Sequence, residues 1–200
     1  MAADPIEAGI VLYGMATNLV ANPGFETAGA GAPDYFGSWD ETAGDGAIAR
    51  TLVAGQFYLG VAAAKLTAGA SANTKVAITL TDLVAATVYP LSFWTRGDGT
   101  YAGRYGVYDV TNSADITAAT STGVTSATYA QKVTSFTTPA GCTSARIDLW
   151  CPSTNTGIAY FDDVLLTKYG YPNSGNVVVL LDPAPNIVLD PSPNGNVVER

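Results

Sequence analysis

Apolar and polar residues alternate with a period of two through much of this chain, and helical periodicity is almost absent. Short runs rich in Val, Ile, Thr, Tyr and Phe are separated by clusters of Gly, Asn, Asp and Ser, the pattern of strands joined by turns. Eight strands are predicted: Ala47–Leu52, Ala62–Thr67, Thr74–Thr79, Val88–Arg96, Tyr105–Asp109, Lys132–Thr137, Ala145–Cys151 and Ala159–Thr167. In the seventh, Ala145, Ile147 and Leu149 share the face that a strand turns toward a core. Turn signals lie between the runs at "GDG" (44–46), "RGDG" (96–99), "TNSAD" (111–115) and "PAGC" (139–142). The stretch Thr117–Thr128 holds only Ala, Ser, Thr, Gly and one Val, and reads as a loop. Strands at this spacing, with no helices between them, predict an all-β antiparallel sandwich.

The pattern changes at both ends. The compact domain is predicted over 18–169, with flanking arms at 1–17 and 170–200. Both arms are apolar but broken by Gly or Pro, too uncharged for solvated linkers and too short for domains. The tail repeats itself: "VLLDPAPN" (Val179–Asn186) and "IVLDPSPN" (Ile187–Asn194) agree at five of eight positions. Proline fixes φ and restricts the residue before it, so the Asp-Pro-x-Pro-Asn segments are extended or turning. Between them Val177, Val179, Leu181, Ile187 and Leu189 are apolar and β-prone, with backbone groups that need partners. The tail is therefore expected to be an assembly arm that adds strands to the sheet edge of another chain. The alternative is that it folds back on its own domain.

Composition narrows the partners. Hydrophobic residues make up 48% and charged residues 13%, against roughly 25% charged in an average globular protein. The net charge of −8, with nine basic residues, argues against nucleic acid and against anionic membrane surfaces. The N-terminus has no basic segment before its short apolar run, so synthesis without export is expected. Cys142 and Cys151 flank a predicted strand whose length holds their Cα atoms beyond the ~7 Å reach of a disulfide. Two free thiols, as in a reducing cytoplasm, are expected. There is no histidine, which removes the usual general base, the Ser-His-Asp triad and most zinc sites. "GAGAP" (29–33) lacks the Lys-Ser/Thr of a phosphate loop. No enzyme is expected.

Five motifs follow one another: "NLVANPGFE" (18–26), Trp39, "YPLSFWTR" (89–96), "YAQKVTSFTTP" (129–139) and "AYFDDVLLT" (159–167). In this order they resemble carbohydrate-binding module families 4 and 9 and their galactose-binding-like relatives, over about three-quarters of the chain. The resemblance implies a jelly roll with no catalytic centre. It also implies a structural Ca²⁺, carried over to Glu26, Asp162 and a carbonyl near Lys65. The residues themselves allow a second reading, in which Glu26 caps backbone amides or pairs with Arg146 or Lys168. Strand alternation should point Asp162 and Asp163 to opposite faces, against a two-carboxylate glycosidase centre.

Sugar modules stack exposed aromatics on sugar rings. Trp39, Tyr101, Tyr108 and Trp150, with Arg104 and Asp109 beside them, form the candidate glycan surface, unless these rings fill the core. The apolar arms, low charge and absent export signal together predict a non-enzymatic structural protein of a bacteriophage virion. It would be a capsid decoration protein whose arms clamp neighbouring subunits, its own or the major capsid protein's, as a homo-oligomer on the virion surface. Two alternatives stand beside it: a non-catalytic carbohydrate-binding module of an extracellular polysaccharide-degrading system, and a tail or fibre adhesin that binds host glycans.

Overall fold

The computed structural model describes residues 17–153 and 157–168, together with the backbone of 187–189 and 197–199. Every regular element among the described residues is a strand. A short ribbon comes first, β1 (Ala28–Gly31) with β2 (Asp34–Phe36). Then come β3 (Asp40–Thr42), β4 (Ala47–Thr51), β5 (Ala63–Thr67), β6 (Thr74–Leu80) and β7 (Val88–Arg96). They are followed by β8 (Arg104–Asp109), β9 (Ala114–Ser121), β10 (Ala130–Thr137), β11 (Ala145–Cys151) and β12 (Ile158–Leu166). Two five-stranded antiparallel sheets result: a first sheet in the order β10-β7-β12-β5-β4 and a second in the order β3-β6-β11-β8-β9. All eight predicted strands are present, with ends shifted by at most two residues.

The core between the sheets follows from alternation. Tyr89, Leu91, Phe93 and Thr95 of β7 turn inward and are fully enclosed. Ile147 and Leu149 of β11 meet them from the second sheet, with Phe161 of β12 and Leu66 of β5 closing the layer. Phe93 contacts Tyr105 across the layers, ring centroids 5.4 Å apart, and Phe161 within its own sheet at 5.9 Å. Close-packed rings of this kind dominate the burial energy of a sandwich. Cys142 and Cys151 are both free and buried in this core.

Two regions depart from the sequence reading. Thr117–Ser121 lies in β9, not in a loop: this mostly exposed edge strand pairs with β8 through two register shifts. Its Ala and Thr side chains carry no apolar alternation because one edge and one face look at solvent. The short strands β1, β2 and β3 are also absent from the prediction, since three or four residues are too few to show a period.

The chain divides into two units, Met1–Lys168 and Tyr169–Arg200. In the second, β13 (Ile187–Leu189) pairs antiparallel with β14 (Val197–Glu199), with Val188 opposite Val198. Of the tail positions singled out above, Ile187 and Leu189 therefore have an intrachain strand partner. Val177, Val179 and Leu181 lie outside the described residues, as does nearly all of the N-terminal arm.

Candidate functional site

The outer face of the second sheet gathers aromatic and charged side chains. In β11, Ile147, Leu149 and Cys151 point into the core, so Arg146, Asp148 and Trp150 must point out. Cross-strand pairing sets Trp150 between Lys75 and Arg104, Asp148 between Ala77 and Gly106, and Arg146 between Thr79 and Tyr108. The Trp150 indole lies across Gly106. A Cβ at that glycine would come within 2.8 Å of the ring, so only glycine lets the indole rest on β8. Tyr108 sits beneath the Arg146 guanidinium, 5.0 Å from its ring centroid, a cation–π contact.

Asp148 organises the middle of this face. Both its oxygens accept from Arg146, from Nε at 2.8 Å and from the terminal guanidinium nitrogen at 3.1 Å, while Lys75 Nζ lies 3.3 Å away. The fork-on-carboxylate geometry fixes the arginine plane, and this bond raises the Arg146 pKa. Asp148 is 4% exposed although it points outward. A rigid row of donors and acceptors thus runs between Trp150 at one end and Tyr108 at the other.

Of the residues singled out from sequence, Tyr108, Trp150 and Arg104 come together on this face. Trp39 does not: its ring packs in the core 4.8 Å from Phe25, and its Nε1 donates to the Asn22 carbonyl. Tyr101 is in the loop after β7, packed over Gly157. Asp109 is enclosed, accepting from the backbone and side-chain amides of Asn112, and caps a turn. Lys75, Arg146 and Asp148 were missed as site residues. The signal was present in "ARIDLWC", where period two already places Arg146, Asp148 and Trp150 on one face.

The carboxylates carried over as Ca²⁺ ligands are engaged differently. Glu26 Oε1 accepts from the amides of Val61 (2.9 Å) and Ala62 (3.3 Å). Asp162 Oδ2 accepts from Tyr58 (2.7 Å) and Leu59 (3.3 Å), and its Oδ1 from Asp163 N. Glu26 here accepts from backbone amides, and Asp162 does the same, so the two hold the loop over 52–61 against the first sheet. Lys65 sits opposite Tyr160 and Ala49 in the ladder. Among the described residues no group of three or more His, Cys, Asp or Glu is arranged to hold a metal ion.

The alternation argument for Asp162 and Asp163 also needs correction. A register shift between Asp162 and Leu165 and a φ of 45° at Asp163 break the period. Oδ1 atoms of both residues lie near Gly24, 3.5 and 3.2 Å from where its Cβ would be.

No protein-family model matches the chain, and no curated protein matches it in sequence. Solved structures do match in fold. The enzymatically active domain of bacteriophage CBA120 tailspike protein 4 superposes with a TM-score of 0.55 at 17% identity, over 76% of this chain. The chain spans only 21% of that tailspike. The module TmCBM61, solved with β-1,4-galactotriose, gives 0.53 at 15% identity, over 76% of this chain and 99% of its own. The CBM22-1 xylan-binding domain from Paenibacillus barcinonensis Xyn10C gives 0.55 at 15%, covering 76% and 95%. The chain thus has the antiparallel β-sandwich jelly roll that carbohydrate-binding modules share.

Proposed function

We propose that this protein is a non-catalytic glycan-binding module and that the outer face of the second sheet is its binding platform. The observation that carries the reading is the Trp150 ring lying against Gly106 on the same face as Tyr108, with the Arg146–Asp148–Lys75 row between them. Exposed rings stack on the apolar faces of sugars, while fixed charged groups bond their hydroxyls. Similarity to modules solved with galactotriose or described as xylan-binding supports this reading over capsid decoration. The decoration reading rests on the terminal arms, most of which lie outside the described residues.

Retention on insoluble galactan and xylan tests the platform. Trp150→Ala and Tyr108→Ala are each expected to weaken binding roughly tenfold with an unchanged circular dichroism spectrum. Equal retention of wild type and both variants removes the platform. A tail or fibre adhesin is the second reading, favoured by the likeness to a phage tailspike domain. It uses the same face and differs in the source of the glycan, a host surface polysaccharide.

A further inference from the structure

The first sheet carries its own recess on the opposite side of the sandwich. It is an open depression of about 260 Å³ lined by Ser92, Trp94, Gln131, Asp163, Leu165 and Pro23, among others. Cross-strand pairing explains the gathering. Gln131 and Asp162 flank Trp94, and Val133 and Leu165 flank Ser92, so the outward positions of β10, β7 and β12 form one surface. The register shift after Asp162 then inserts Asp163 into it.

Three features set this recess apart from an ordinary sheet surface. The first is Asp163, a non-glycine residue at φ 45° in a bulge, a left-handed conformation that side chains seldom adopt and that re-aims the carboxylate. The second is its polar groups. Among the described residues, no hydrogen bond or ion pair engages the Ser92 hydroxyl, the Trp94 indole N–H, the Gln131 amide or the Asp163 carboxylate, although the neighbouring Asn18 makes three bonds. The third is an aromatic wall. Tyr58 stacks on Trp94 at 3.6 Å and 11°, fixing the ring that lines the recess.

We propose that this recess is a second ligand site, independent of the Trp150 face, and that it takes a single neutral sugar ring. The chemistry selects the class. Asp163, with Glu26 close behind it, repels anions. The indole N–H and the amide nitrogen of Gln131 are donors that a cation cannot use. Each hydroxyl both donates and accepts, so the several hydroxyls of one sugar ring match donors and acceptors alike. Leu165 and Trp94 supply the apolar surface that a ring's C–H face needs. The volume suits one ring and not a chain, unlike the long open face of the second sheet.

Amide chemical-shift titration of the full chain with methyl β-D-galactopyranoside, methyl β-D-glucopyranoside and methyl β-D-xylopyranoside tests the site. Saturable shifts are expected at Ser92, Gln131 and Asp163 with at least one probe, and they should persist in Trp150→Ala. Gln131→Ala, at an exposed position, and Asp163→Asn, which keeps a residue tolerant of positive φ, should each weaken the shifts roughly tenfold. No saturable shift at these residues with any probe overturns the proposal, as does a response indifferent to both variants. Shifts confined to the Trp150 face also overturn it, while leaving the platform reading intact. Shifts here together with polysaccharide retention that ignores Trp150→Ala support the recess and sink the platform.

Discussion

Asp162 is fully enclosed beneath the 52–61 loop, and burial pushes its carboxyl from 3.8 up to about 7 against the pull of three amide donors. The folded protein therefore holds this proton more tightly than the unfolded chain. The stability it contributes is complete below about pH 4 and is lost as pH rises through 7. Asp163 and Glu41 are raised by burial too and act with the same sign. Asp45, Asp98 and Asp109 are lowered, so their contribution is lost only on acidification below 3.8. The unfolding free energy from urea titration is thus expected to fall from pH 4 to pH 8 by on the order of 2 kcal/mol, and Asp162→Asn should flatten most of that slope. A wild-type unfolding free energy constant over this range contradicts the assignment. Gly106 is a second residue whose role can be read directly: Gly106→Ala puts a methyl against the Trp150 ring. Polysaccharide retention should drop as far as in Trp150→Ala, with tryptophan emission shifted to longer wavelength. Gly106 did not stand out in the sequence as Trp150 did. Asp162 was legible as a carboxylate near Glu26, but the loop amides that occupy both come from over thirty residues away in the chain.

Among the elements, the long core strands were legible and the edge elements were not. β7 and β11 alternate because each has one buried face, and that face is written into every second residue. β9 has almost no buried face, so its pairing with β8 comes from tertiary context and not from its own letters. β12 shows where alternation misleads: one bulge turns Asp163 to a side the period would deny it. The same strand supplies Phe161, fully buried against Phe93. Phe161→Ala leaves a cavity between the sheets and should cost about 3–5 kcal/mol, measured by chemical denaturation. A loss below 1 kcal/mol would mean that the layer collapses around the gap.

At the scale of the whole molecule, the Trp150 face and the Asp163 recess both belong to the first unit, Met1–Lys168. A chain ending at Lys168 is expected to keep its affinity for polysaccharide, and light scattering of both lengths reads the tail separately. Loss of an oligomer on truncation would return the assembly-arm reading for 170–200. The fold class was legible because eight alternating runs leave little choice of architecture. The role of the ends was not, because a proline-broken apolar segment is compatible with several partners. Asn18 bonds the Val164 carbonyl and the Leu166 amide, and Leu19 N donates to Leu166 O at 2.9 Å, so the domain is entered and left at adjacent points. A body closed in this way can be spliced into a surface loop of an unrelated host, or circularly permuted by joining 168 to 17 and opening the exposed turn at Gly123. Either form should display both outer faces unchanged, turning the module into a portable cassette.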